Sequence, residues 1–215
     1  EFNGVKIVID RHTLAQEELM GLYHRIKRRD LPRGQGSLEQ RDLSSTYLQR
    51  IDDDVQLARP LKVVIDAGNG IAGPLAEQLM NRLGVQATCL FCSVDGSFPN
   101  HHPDPGVPHN LQVLRDTVLT QKADLGLAFD GDGDRVALAD NTGKIIWPDR
   151  LLMLLVEDIL PRNPGRDVVF DVKSSRHLTA LVNRYGGRPT MWKTGHSLMK
   201  RRMQESNAVV GGEFS

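Results

Sequence analysis

Residues 126–135 have the sequence Gly-Leu-Ala-Phe-Asp-Gly-Asp-Gly-Asp-Arg, in which an apolar run turns abruptly into an alternation of aspartate and glycine. Residues 125–129 predict a short buried strand. The two glycines let the backbone curl after this strand, so that Asp130, Asp132 and Asp134 point at one centre. Like charges at such range repel unless a cation relieves them, and carboxylate oxygens suit Mg²⁺ or Ca²⁺. The pattern predicts a metal-binding loop, with a solvated acidic turn as the alternative.

The choice between calcium and magnesium follows from the residues beyond the aspartates. An EF-hand needs glycine at its sixth position and a bidentate glutamate at its twelfth, where this chain has Arg135 and Asn141. Mg²⁺ commonly completes its coordination with water and a phosphate oxygen, and an adjacent arginine offers a bidentate fork to the same phosphate. The loop therefore favours Mg²⁺-dependent phosphoryl transfer.

The rest of the chain alternates strands with helices, which predicts an α/β fold. An α/β domain is expected over 43–144 and a second unit from 145, with 1–42 as the tail of a preceding domain. The predicted strands are Val5–Ile9, 61–65, 86–92, 125–129, 136–139, 144–146, 168–170, 189–192 and 208–210. The predicted helices are 13–28 with Thr13 as N-cap, 44–57, 73–83, 109–121, 148–160, one that ends near 184, and one from about 196 to 205.

Polar residues follow three successive strands of the second unit: Lys173, then His196, then Glu213 with Ser215. Ligands of open α/β sheets bind at the carboxyl ends of the strands. These side chains are therefore expected to line a binding pocket, although a single lysine or histidine in this position is usually an ordinary surface residue.

Three further motifs suggest other functions, and each has a structural alternative. Gly68, Gly70 and Gly73 follow a strand as in dinucleotide-binding proteins, but the next strand lacks the acidic residue that would bind the ribose, so a packing role is favoured. His101-His102-Pro-Asp104 resembles a zinc motif, but adjacent residues point apart and the prolines stiffen the chain, so a structural loop is favoured.

The two cysteines form a lone Cys-x-x-Cys motif, Cys89 and Cys92. In an extended strand, residues three apart face opposite sides, so neither a disulfide nor a zinc pair is expected. Both are interpreted as core or edge residues.

Composition excludes several classes of function. The 215 residues contain 27 basic and 27 acidic side chains, so no net charge favours nucleic acid or an anionic membrane. No apolar run approaches the roughly 20 residues that span a bilayer, and no signal-peptide pattern opens the sequence. We expect a cytoplasmic protein without nucleic-acid or membrane partners.

Several separated motifs resemble those of the α-D-phosphohexomutase family and occur in the family's order. Besides the aspartate loop they are Asn3-Gly-Val-Lys6, Val64-Ile-Asp-Ala-Gly-Asn-Gly70, Phe98-Pro-Asn-His-His-Pro-Asp-Pro105 and Gly212-Glu-Phe-Ser215. The resemblance implies consecutive three-layer α/β/α domains with mixed sheets. The chain would comprise the end of domain 1 (1–42), domain 2 (43–144) and most of domain 3 (145–215).

The resemblance also implies a reaction, in which phosphate moves between the 6- and 1-positions of glucose or mannose. A phosphoserine and a hexose 1,6-bisphosphate would be the intermediates, Mg²⁺ the cofactor, and phosphorylated hexoses the substrates. No nicotinamide cofactor is used in the family, and a monomer is expected. The implied roles are metal binding by Asp130, Asp132 and Asp134, catalysis by Lys6 and Arg135, and substrate binding by Lys173, His196, Glu213 and Ser215.

Two parts of the family pattern fall outside these 215 residues. The Thr-x-Ser-His-Asn-Pro loop with the nucleophilic serine is expected upstream of Glu1, and a fourth domain with a phosphate-binding loop is expected beyond Ser215. The resemblance therefore implies that this chain is inactive alone. The alternatives are a non-catalytic module that binds metal and sugar phosphate, and a metal-dependent phosphatase. The phosphatase is disfavoured because the common aspartyl phosphatases pair a nucleophilic aspartate with Asp-x-Thr, whereas Asp132-Gly-Asp134 is followed by Arg135 and not by a threonine.

Overall fold

The computed structural model describes residues 7–10, 12–14 and 16–214. The chain divides into two compact units, one formed by residues 40–148 and the other by residues 149–214 together with the described residues up to 39. The predicted α/β class is confirmed. The division into domains at residues 42 and 144 stays a prediction.

The described residues up to 39 form a small hairpin and one helix. Strand β1 (Val8–Ile9) pairs antiparallel with β2 (His12–Thr13), and helix α1 spans Glu17–Lys27. The expectation that Thr13 caps this helix is wrong, because Thr13 pairs with Val8 in the hairpin and the helix begins four residues later. Of the predicted strand Val5–Ile9, the part before residue 7 lies outside the described residues.

The unit formed by residues 40–148 contains a five-stranded mixed sheet. Its strands run in the order β4-β3-β5-β6-β7; the first three are parallel, and the pairs β5–β6 and β6–β7 are antiparallel. The strands are β3 (Lys62–Asp66), β4 (Gln86–Leu90), β5 (Leu125–Phe129), β6 (Val136–Asp140) and β7 (Ile145–Ile146). The helices are α2 (Ser44–Asp52), α3 (Ala72–Arg82) and α4 (Gln112–Gln121), the last preceded by a 3₁₀ turn, Pro108–Leu111.

Strand alternation divides the core of this unit into two layers, one on each face of the sheet. Val63 and Ile65 of β3 pack with Ala76 of α3, whereas Val64 between them packs with Leu114 of α4. A Cβ atom at position 126 of β5 would meet Leu114 and Val118 at 2.8–3.0 Å, so a larger residue here would force these buried side chains to shift. The close packing of α4 on β5 fixes the strand that carries the aspartate loop.

The unit that contains residues 149–214 has a three-stranded parallel sheet in the order β10-β8-β9. Its strands are β8 (Asp167–Asp171), β9 (Arg188–Trp192) and β10 (Val210–Gly212). Its helices are α5 (Pro148–Ile159), α6 (Arg176–Arg184) and α7 (His196–Ser206). The core joins Phe170 and Val168 of the central strand to Leu152 and Val156 of α5 and to Leu178 of α6.

Further predicted boundaries differ from the structure by two to five residues. The strand predicted at 208–210 lies at Val210–Gly212, because the chain leaves α7 through a left-handed residue, Asn207, and uses the next two residues to return to the sheet. The helix predicted over 44–57 ends at Asp52. Within the part of the chain that the structure describes, no helix is long and apolar enough to cross a membrane.

Phe170 provides a direct test of this core. Its side chain is 1% exposed, and Phe170→Ala should lower the free energy of unfolding by about 3–5 kcal/mol, because it leaves a cavity between the sheet and its helices. Val172→Ala, two residues further on and 65% exposed, is the control and should cost no more than about 0.5 kcal/mol. Urea denaturation followed by circular dichroism measures both variants. Equal unfolding midpoints for the two would contradict the assigned core.

Candidate metal centre and substrate edge

The aspartate loop begins where β5 ends, and the structure brings its three carboxylates together. One ligand oxygen from each of Asp130, Asp132 and Asp134 lies within 4.8 Å of the others. Gly133 adopts a left-handed conformation with φ of 73°, and its N–H donates to the carbonyl of Asp130 over 3.1 Å. This turn reverses the backbone and places the three side chains on one side. Among the described residues, no other group of three or more potential metal ligands is this compact.

Glycine at position 131 has a different role, because its φ is not left-handed. A Cβ atom there would meet the ring of Pro103 at 3.3 Å, and one at Gly70 would meet the carbonyl oxygen of Gly131 at 2.8 Å. The N–H of Ile71 donates to the same carbonyl over 3.1 Å. The aspartate loop is therefore packed between the turn that follows β3 and the proline-rich loop.

Arg135 is held by two carboxylates. Its Nε donates to Asp130 Oδ2 over 2.9 Å, its backbone N–H to Asp130 Oδ1 over 3.0 Å, and its Nη1 to Asp104 Oδ1 over 2.9 Å. Asp130 is 3% exposed, and burial raises the pKa of its carboxyl, against the opposing effect of the Arg135 hydrogen bonds. These contacts fix the guanidinium group directly beside the three carboxylates.

The glycines after β3 are used for packing. Gly68 has a left-handed φ of 50°, and a Cβ atom there would lie 2.9 Å from the Cβ of Pro103. A Cβ atom at Gly73 would lie 2.2 Å from the carbonyl oxygen of Cys92. Burial raises the pKa of Asp66, which ends β3 and is almost fully enclosed. Each glycine of the dinucleotide-like motif thus has a structural reason to be glycine.

The proline-rich loop is tied to the same turn by His101. Its Nε2 lies 3.1 Å from both carboxylate oxygens of Asp66, and its Nδ1 lies 3.0 Å from the carbonyl oxygen of His102. With His101 bound to Asp66 and Asp104 bound to Arg135, the loop uses these side chains for internal contacts, as the structural interpretation predicts.

The cysteines are not arranged as predicted from an extended strand. Strand β4 ends at Leu90, Phe91 has a φ of 52°, and both Cys89 and Cys92 pack against the same core cluster. The left-handed residue turns the chain, so that both side chains pack on one side instead of facing opposite sides, and the Cys92 thiol donates to the carbonyl oxygen of Leu90 over 3.6 Å. Both lie in the described range and are free. Burial and the neighbouring Cys89 raise the pKa of Cys92 to about 12.

The second candidate site lies at the carboxyl edge of the parallel sheet. Lys173 is exposed just after β8, His196 is the first residue of α7 after β9, and Glu213 follows β10. The Glu213 carboxylate accepts the N–H of Gly195, which connects the loop after β10 to the loop that carries His196. Lys6 and Ser215, the other two predicted site residues, lie outside the described residues.

Asp171 belongs to this edge and was not among the predicted site residues. It ends the central strand β8, is fully buried, and accepts hydrogen bonds from Ser174, Thr194 and Phe214. The signal that could have revealed it is an aspartate at the end of an apolar strand, where a carboxylate is buried only if donors surround it.

Family models match most of the chain. Residues 45–143 match phosphoglucomutase/phosphomannomutase alpha/beta/alpha domain II, and residues 147–215 match alpha/beta/alpha domain III. The chain belongs to the phosphoglucomutase/phosphomannomutase family. The resemblance that the separated motifs indicate is thereby confirmed.

Relatives within this family are similar over the whole chain. A phosphomannomutase/phosphoglucomutase from Pseudomonas aeruginosa is 55% identical over 215 residues, and a phosphoglucomutase from Neisseria gonorrhoeae is 45% identical over 217 residues. A crystal structure of a phosphoglucomutase/phosphomannomutase family protein from Burkholderia thailandensis superposes with a TM-score of 0.95 at 47% identity.

These matches cover nearly all of this chain but less than half of each of the other proteins. All of this chain aligns with the two relatives, but it spans 46% and 47% of their lengths, respectively; for the crystal structure, 97% of this chain covers 46% of the other. The aspartate loop falls in the domain II match, and Lys173, His196 and Glu213 fall in the domain III match.

The raised pKa of Cys92 leads to a reactivity prediction. Alkylating reagents attack the thiolate, so at pH 8 Cys92 should react at least about a hundredfold more slowly in the folded chain than in urea. Mass spectrometry of peptides after iodoacetamide treatment measures the rate, and the urea-unfolded chain is the reference. The folded-state rate should rise as the pH approaches 12. Equal rates in the folded and unfolded chains would contradict the burial of this thiol.

Proposed function

We propose that the protein to which this chain belongs interconverts the 6- and 1-phosphates of a hexose, glucose or mannose, by phosphoryl transfer. The observation that carries the proposal is the convergence of three carboxylates beside a fixed arginine, in a chain of the phosphoglucomutase/phosphomannomutase family. A phosphoserine and a hexose 1,6-bisphosphate intermediate are part of the proposal. The monomeric state and the cytoplasmic location stay predictions.

The donor set of the aspartate loop fits a hard divalent cation. Its three ligands are carboxylate oxygens, which Mg²⁺ prefers, and their separation of up to 4.8 Å is comparable with the diameter of a coordination sphere of about 2.0–2.6 Å radius. Asp132 and Asp134 are exposed, so small side-chain rotations can adjust that distance. Bound Mg²⁺ would supply positive charge to phosphate oxygens at this point.

The chain's own residues supply the remaining interactions. Arg135 places a guanidinium group, oriented by Asp130 and Asp104, where it can bind a phosphate. For Lys6, the role that the family resemblance implies is proton transfer or phosphate binding.

At the sheet edge, basic side chains and hydrogen-bond acceptors are suited to a phosphorylated sugar. Lys173 and His196 would bind its charged or polar groups, while Glu213 and the Ser215 hydroxyl would hold two sugar hydroxyls. The Gly195 N–H directs one Glu213 oxygen, and the carboxylate keeps further lone pairs for the sugar.

Residues 1–215 contain no Ser-His-Asn-Pro sequence. The proposal therefore assigns the phosphate-donating serine to the longer protein, and we expect no mutase turnover from these residues alone. A coupled assay with glucose 1-phosphate, Mg²⁺ and glucose 1,6-bisphosphate tests both forms. Turnover by the 215-residue chain would show that the nucleophile is misplaced, and release of inorganic phosphate by the longer protein would favour the phosphatase alternative.

The metal centre can be tested on this chain directly. We expect weak Mn²⁺ or Mg²⁺ binding by calorimetry, and Asp132→Asn should weaken it by about tenfold or more because one charged ligand is lost. Asp116→Asn, which changes an exposed aspartate of α4 in the same unit, should leave the affinity unchanged. If the wild-type chain binds no ion, or if both variants bind like wild type, the metal assignment fails.

Glu213 can be tested in the longer protein. Glu213→Gln keeps an oxygen for the Gly195 N–H but removes the charge, so kcat/KM for glucose 1-phosphate should fall while the melting temperature stays close to wild type. Glu205→Gln, on the exposed part of α7, is the matched control. Unchanged kinetics of Glu213→Gln would remove Glu213 from the proposed site.

A further inference from the structure

We infer that Asp171 is a positioning residue that holds the loops after β8, β9 and β10 in one arrangement at the carboxyl edge of their sheet, an inference that rests on the proposed function. Asp171 is the last residue of β8, the central strand of the β10-β8-β9 sheet. Because its two neighbours are parallel to it, the loops after all three strands leave the sheet around this carboxylate.

The hydrogen bonds of Asp171 reach each of these loops. Its Oδ1 accepts the Ser174 hydroxyl over 2.8 Å and the Phe214 N–H over 3.2 Å, and its Oδ2 accepts the Thr194 hydroxyl over 3.2 Å. All three partners are donors, which suits a carboxylate with its several lone pairs. One fully buried side chain therefore links the loops after β8, β9 and β10.

Each partner lies within two residues of a proposed substrate-binding group. Ser174 follows Lys173, Thr194 precedes His196 by two residues, and Phe214 follows Glu213. The contact between Glu213 and the Gly195 N–H joins two of these loops a second time. A change at Asp171 should therefore move the loops that carry the candidate groups together.

Asp167, at the opposite end of the same strand, shows what a structural aspartate of β8 looks like. It is also buried, but it forms an ion pair with Arg188 and accepts the Thr190 hydroxyl over 3.2 Å, so its partners belong to the adjacent strand β9. Within the described residues, Asp171 has no ion pair with a basic side chain. Burying a carboxylate that only neutral donors satisfy costs free energy of folding. In Asp171 we attribute this cost to the ordering of the three loops that donate to it.

The first experiment needs no ligand. Nitrogen-15 amide spectra and hydrogen exchange of the 215-residue chain are compared for Asp171→Asn and the control Asp167→Asn. We expect Asp171→Asn to shift the amides of Gly195, Glu213 and Phe214 together and to speed exchange at Phe214. The control should affect residues 188–190 and leave those three amides unchanged. Shifts confined to residues 170–174 in Asp171→Asn would overturn the inference.

A milder variant keeps the test valid if Asp171→Asn does not fold. Thr194→Val removes one hydroxyl donor and retains the shape of the side chain. It should still shift the Gly195 and Glu213 amides, because their loops are joined through Asp171 and through the Glu213 contact. Unchanged Glu213 and Phe214 resonances in Thr194→Val would likewise overturn the inference.

The second experiment separates positioning from stability in the longer protein. With glucose 1-phosphate as substrate, Asp171→Asn should lower kcat/KM by about tenfold or more, mainly through KM, because the binding groups lose their mutual alignment. Asp167→Asn should retain wild-type kinetics even if its melting temperature falls equally. If the two variants lose activity equally at matched stability, the positioning role is wrong. If the wild-type protein does not convert hexose phosphates, the proposed function fails, and the amide spectra still decide whether Asp171 couples the loops.

Discussion

Burial of an aspartate at the carboxyl end of an inner strand is the constraint on which both candidate sites depend. A carboxylate enclosed at a strand end must be surrounded by donors, and the nearest donors are the backbone and side chains of the following loops. The Asp66 carboxylate is hydrogen-bonded to the Gly68 N–H and to His101, and the Asp130 carboxylate accepts hydrogen bonds from Arg135. The Asp171 carboxylate accepts hydrogen bonds from three loops. In each case, the hydrogen bonds that satisfy one buried carboxylate fix the course of the loops that form the candidate site.

In the aspartate loop, the same constraint acts on three carboxylates that lie close enough to repel each other. Three carboxylates within 4.8 Å repel each other, yet Asp130 is buried deepest and already bound by the backbone and side chain of Arg135. Asp132 and Asp134 remain exposed beside it. The loop thus has one buried carboxylate, which Arg135 holds in place, and two exposed ones beside it.

Two of the expectations that were wrong concerned backbone conformations that the residue types do not reveal. Thr13 is of a residue type that is common at helix N-caps, but it pairs with Val8 in a hairpin. Cys89 and Cys92 were predicted to lie on opposite faces of a strand, but a single left-handed residue, Phe91, brings both to the same core cluster. Local propensity cannot reveal such choices, since they are made by packing.

The sequence by itself determined the α/β alternation, the strand Leu125–Phe129 with its convergent aspartates, and the membership of a family whose motifs occur in order, because periodicity and spacing are local properties of the chain. Only the tertiary structure decided which distant residues meet. It brought Asp104 of the proline-rich loop to Arg135, and it brought Asp171 to Thr194 and Phe214, 23 and 43 residues away. Those contacts arise from strand order and from the need to satisfy buried carboxylates with hydrogen bonds. Neither can be predicted from the spacing of residues along the chain.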